Sequence, residues 1–235
     1  MSGPAPDRNG PLTRAASAIY WFVVVEVLWV LLTAPGFVAA LFLARDASNL
    51  PLYALAAVPV GPATAAALFA WRVFLRERDP SPAHQFGRGL RLGWADALRS
   101  WVPALVALVV LGTNVAYAGA AGLAAPVVLL QVVLGVVVLL WAVRMLALAS
   151  SFSFRWRDAA RLGIYTLLNR PLVTLGMVSL LVLVAGLAVV TFDAVPVLLA
   201  SVLTYFLARN ENPVLDDVQR RFVAPSPPTS SSTTP

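Results

Sequence analysis

The chain has 235 residues, 60% of them hydrophobic and only 12% charged, with a net charge of +6. A soluble domain carries about 25% charged residues, and here the apolar residues come in runs of roughly 20, long enough to cross a hydrocarbon core of roughly 30 Å. A soluble globular protein is excluded, and the absence of cysteine removes disulfides, thiolate metal sites and cysteine nucleophiles. The basic residues, all 17 of them arginine, sit beside apolar runs. Positive-inside bias and anionic lipid headgroups account for them, and nucleic-acid binding is not expected.

Residues 1–15, with Pro4, Pro6, Gly10 and Pro11, read as a disordered cytoplasmic lead. Residues 16–209 read as one transmembrane helical domain. Its first apolar run, Ile19 to Ala44, is too long for a signal-peptide core and is expected to remain as an anchor. Pro35 predicts a kink in it. After a polar turn at Arg45–Asn49, the second segment runs from Leu50 to Trp71 and contains Pro59 and Pro62, so it is expected to be bent or broken. Thr64 is a local hydroxyl able to serve the freed backbone groups. Within this segment Gly61, Pro62, Ala63, Thr64 and Ala65 form a block of small residues that lets a second helix approach closely. The segment leaves the membrane through Arg72, Arg76 and Arg78.

Asp79-Pro80-Ser81-Pro82 marks a turn. Phe86, Leu90, Trp94 and Leu98 then recur at i, i+4, with Arg88, Arg91 and Arg99 off that line. This is the pattern of an amphipathic helix lying on the membrane surface over 86–99. A third span is expected from Trp101 to Tyr117, a tight turn at Gly119–Gly122, and a fourth span from Ala125 to Ser150. A second interfacial helix follows over 152–170, carrying Arg155, Arg157 and Arg161. The fifth span is Leu172 to Val190, an outer turn falls at Asp193, and a short sixth segment covers 196–207. Residues 210–235 read as a disordered cytoplasmic tail. The expected fold is therefore all-α: a polytopic transmembrane bundle of six membrane segments, five if the last falls short of a span, with two cytoplasmic interfacial helices. With both termini inside, Arg45 alone among the arginines lies outside, which sets the orientation.

Chemistry-bearing constellations are scarce. His84, the single histidine, lies in a proline-bounded loop, and neither a metal cluster nor a phosphate-binding glycine loop is present. No catalytic, metal or cofactor-binding residue is assigned, and an enzyme is not expected. Tyr20, Trp21, Trp71, Trp94, Trp101, Trp141 and Trp156 cluster near the expected cytoplasmic helix ends and read as an interfacial belt. Two charges lie deep in apolar segments. Glu26 is roughly 10 Å and Arg144 roughly 9 Å from the cytoplasmic ends of their helices. An isolated charge in hydrocarbon is costly, so the two are expected to pair.

The Gly61-Pro62-Ala63-Thr64-Ala65-Ala66 block, the arginine helix that begins near Phe86, and Asn169-Arg170-Pro171-Leu172 resemble the YesL-like family of bacterial integral membrane proteins. The likeness covers roughly residues 15 to 208. It implies a bacterial inner-membrane location and an association with carbohydrate-uptake transporters, and it supplies no active site. Two readings stay open. One is an accessory or assembly component of a carbohydrate uptake system, with lipids and transporter subunits as partners. The other is a small-solute transporter or channel formed by the bundle itself.

Overall fold

The computed structural model describes residues 11–77, 81–151, 156–190 and 194–222. Residues 1–10, most of the turn at Asp79-Pro80, residues 152–155 with Arg155, the turn at Asp193 and residues 223–235 lie outside the described residues. The described residues are helical throughout, without strands, in the order α1 (Pro11–Leu41), a short 3-10 turn (Ala47–Asn49), α2 (Leu50–Ala56), α3 (Val60–Glu77), α4 (Pro82–Ala116), α5 (Ala125–Ala149), α6 (Trp156–Asn169), α7 (Pro171–Val190), α8 (Ala194–Leu198) and α9 (Ala200–Phe222). Proline occupies the first turn of α2, α4 and α5, where its missing N–H costs no hydrogen bond. The α4–α5 connection turns at Gly122, whose φ of +64° suits a residue without a Cβ.

Three helices are long and apolar enough to cross a membrane, spanning Ala15–Leu41, Pro82–Ala116 and Ala125–Ala149. Two bent pairs raise the number to five: α2 with α3, bent by 42°, and α6 with α7, bent by 98°. The 98° bend turns α6 across the axis of α7, whose 20 residues reach about 30 Å. Only 22%, 28% and 11% of the most apolar windows of the three long helices are buried by the rest of the chain. Leu31, Val106, Leu129, Leu130 and Val182 all stand more than half exposed. At roughly 25 cal/mol per Å² of apolar surface, this exterior is incompatible with water and suits lipid.

The interior is held by small residues and aromatic rings. Gly61, Pro62, Ala63, Ala65, Ala66 and Ala67 are buried on α3, and Thr64 is partly so. A Cβ at Gly61 would lie 2.5–2.8 Å from the Trp101 side chain of α4, which fixes how closely those two helices approach. Trp21, Phe22, Trp71, Phe74 and Tyr205 pack ring against ring at centroid distances of 4.6–6.0 Å, joining α1, α3 and α9. The tryptophan belt is thereby corrected. Trp21, Trp71 and Trp101 are 1%, 0% and 7% exposed, because each ring finds an aromatic or small-residue partner that a headgroup layer cannot offer. Trp94 remains exposed.

Other expectations also change. Residues 11–15, expected to belong to a disordered lead, form the first turn of α1. The expected surface helix 86–99 and span 101–117 are one helix of 35 residues, α4, with Pro103 inside it. At about 1.5 Å per residue it is about 52 Å long, well beyond one bilayer core. Pro103, two residues past the expected junction, is accommodated within the helix, and Ser100 Oγ donates to Asp96 O and Ala97 O there. The sixth segment divides into α8 and α9 at Leu199. α9 then continues to Phe222, through the first half of the expected disordered tail. The break between α2 and α3 falls where Pro59 and Pro62 predict one. At the break Trp101 Nε1 donates to the Ala57 carbonyl at 2.9 Å, beside the Val60 N–H that the same carbonyl accepts at 3.1 Å; the sequence reading looked to Thr64 for such a bond. Thr64 Oγ1 instead accepts from Trp29 Nε1 at 3.3 Å.

Candidate functional site

The two deep charges do not meet. Arg144 Nη1 of α5 donates to Glu211 Oε2 of α9 at 2.7 Å, and both side chains are essentially without solvent exposure. Glu26 Oε2 of α1 accepts from the backbone N–H of Ser201 at 2.7 Å. The expected Glu26–Arg144 pair is corrected on this geometry. Equal depth along two helices does not bring side chains together unless they also share a facing direction, and Arg144 faces α9. Glu26 meets the first turn of α9, just past the break at Leu199, where unpaired N–H groups and the helix dipole favour a carboxylate.

α9 therefore gathers the charges of the bundle. Besides Glu211–Arg144, Asp216 pairs with Arg76 of α3, and Asp217 with Arg170 at the α6–α7 junction at 2.9 Å. The two outer pairs are 30–42% exposed and are worth at most about 1 kcal/mol each. The buried pair is different in kind, since removing either partner leaves an uncompensated charge in an apolar interior. Asn210 Nδ2 adds a bond to Val173 O of α7 at 2.9 Å. Trp71 Nε1 donates to Thr204 Oγ1 at 3.2 Å.

A cleft of about 400 Å³ lies between α1, α3, α5, α7, α8 and α9, and neither Arg144 nor Glu211 lines it. Leu139, Leu140 and Val143 of α5, Met177, Leu181 and Val184 of α7, and Leu203 and Leu207 of α9 line it. Thr64 and Thr204 are its polar lining residues. Both hydroxyls already accept from tryptophan. The cleft suits hydrocarbon and offers no charged lining to a hydrophilic solute.

Of the basic residues assigned to the interfacial helices, Arg88, Arg91 and Arg161 are exposed. Arg88 and Arg91 lie on α4 and Arg161 on α6, so no common site gathers them. No metal-binding group of His, Asp and Glu occurs among the described residues. Comparison with family models, with curated proteins and with solved structures finds no match.

Sequence reasoning missed Glu211, Asp216 and Asp217. A signal was available: these acids occur at helical spacing with Val214 and Leu215, both buried, in a chain with 17 arginines and only 11 acidic residues. The Ser/Thr/Pro-rich end beyond them concealed it.

Proposed function

We propose that the chain is a multi-pass membrane protein serving as an accessory or assembly component of a carbohydrate uptake system, acting through contacts within and beside the bilayer. The observation that carries the reading is the interior. Its charges are consumed by holding α9, and its cleft is apolar, which favours a binding scaffold over a route for a hydrophilic solute. The carbohydrate assignment rests on the resemblance to the YesL-like family.

In this reading the protein sits in a bacterial inner membrane with six membrane segments and both termini cytoplasmic. α6 lies along the cytoplasmic surface, and the N-terminal part of α4 projects past the bilayer core as a continuation of its span. Exposed Ile164, Tyr165 and Leu168 beside Arg161 support the placement of α6. Purification of the tagged full chain in mild detergent is expected to recover transporter subunits, and a deletion strain is expected to take up sugar more slowly. Recovery of the protein by itself, with unchanged uptake, contradicts the reading.

The second reading, a small-solute transporter, is favoured by one feature. Two segments are discontinuous, and the break at Leu199 carries the Glu26 carboxylate, as transporter sites often do.

A further inference from the structure

A polar cleft of about 420 Å³ lies where α9 passes the α6–α7 junction, lined by Arg170, Arg209, Asn212, Pro213, Asp216 and Asp217. The five residues from α9 recur at i, i+3 and i+4, so one face of that helix supplies them all. The cleft stands at the border of the apolar zone: α7 begins its apolar run at Leu172, and α9 leaves its own after Ala208. Bare apolar side chains adjoin it. Leu168 and Leu172, two positions either side of Arg170, are 80% and 82% exposed, and Phe206, three positions before Arg209, is 50% exposed. Charged groups around an open cleft, with uncovered apolar side chains at its edge, form a surface that complements a phospholipid, headgroup and chains together.

The headgroup follows from the charges. Two arginines and two aspartates make the lining neutral as a whole, yet it presents both signs. Arg170 Nη2 donates to Asp217 Oδ2 at 2.9 Å, and Asp216 pairs with Arg76 of α3, with all four side chains 30–42% exposed and open to a ligand. Arg209 is exposed and has no hydrogen bond or ion pair among the described residues. Its planar fork matches a phosphodiester, and the N–H groups of Arg170 that Asp217 does not take add donors. The aspartates each keep acceptor capacity beyond one arginine contact. A primary ammonium supplies three donors and the attracting charge, whereas a trimethylammonium has no N–H and a net anion meets repulsion there. Arg209 and Asp216 stand two turns apart on α9, about 10 Å, and reach inward from the ends of that gap. We propose that this cleft binds the headgroup of an ethanolamine phospholipid, its phosphate on Arg209 and Arg170 and its ammonium on Asp216 and Asp217, with the chains over Leu168, Leu172 and Phe206. The site is independent of the uptake system named above, and its test does not use sugar transport.

The test adds dioleoyl phosphatidylethanolamine, phosphatidylcholine or phosphatidylglycerol to the purified, delipidated full chain in mild detergent and reads the lipid adducts by native mass spectrometry. The ethanolamine lipid is expected to bind about tenfold more tightly than the choline lipid, the ratio that one net hydrogen bond of the upper range supplies, and more tightly than the glycerol lipid. Arg209→Gln is expected to bring it down to the choline level at an unchanged melting temperature, and Arg209→Lys to retain most of the binding. The double variant Asp216→Asn/Asp217→Asn is expected to lose the preference for ethanolamine and to bind the glycerol lipid better. Glycerophosphoethanolamine, the same headgroup without chains, is expected not to displace the lipid even in large excess. Equal binding of the choline lipid, or no ethanolamine adduct, overturns the proposal. Tighter binding of the glycerol lipid also overturns it in favour of a simple anion site, as does binding that Arg209→Gln leaves intact. Displacement by the chainless headgroup overturns the lipid assignment in favour of a soluble ligand.

Discussion

The fate of Arg144 shows what a buried charge requires. Its depth and cost were legible in the sequence, because few charges interrupt the apolar runs. Its partner was not, because depth fixes one coordinate of a side chain and the azimuth of its helix fixes the other. Glu211 was hidden by composition, lying where the chain turns polar. Removing one member strands the other, so Arg144→Met or Glu211→Met alone is expected to lower stability by about 3–5 kcal/mol. The double variant is expected to be far less harmful, since apolar residues of similar volume often replace a buried pair with little loss. Thermal unfolding in detergent of the three variants measures this.

Among the elements, α9 departs most from expectation. Its polar composition beyond Asn210 resembles a solvated tail, yet Val214 and Leu215 are 1% and 3% exposed, packed with Met145 and Leu148 of α5. The helix boundaries set by proline were legible, as at α2, α4 and α5. Continuity across 82–116 was not, because a change from basic to apolar composition looks like a change of element while the backbone has no reason to stop. If α9 belongs to the fold, truncation after Leu207 removes Glu211, Asp216 and Asp217 together and leaves Arg144 buried without its partner. Such a chain is expected to be degraded or to aggregate on extraction, whereas truncation after Phe222 leaves yield and melting temperature nearly unchanged. Size-exclusion profiles of the two truncated proteins separate these outcomes. A monodisperse peak from the shorter chain would return α9 to the status of a tail.

For the whole molecule, the membrane class was legible from composition, and the interior was not. The tryptophans near helix ends belong to the core because facing helices supply rings and small residues, information that a single segment does not contain. The resulting bundle holds the Arg144–Glu211 pair between helices and has an interior cleft suited to hydrocarbon, the two features on which the proposed contact role rests. The most direct measurement is solute flux into liposomes reconstituted with the purified full chain as their sole protein. Mono- and disaccharide entry is expected to equal that of protein-free liposomes, with and without a proton gradient. Saturable sugar entry, abolished by Glu26→Gln, would contradict the account and identify the break at Leu199 as a transport site.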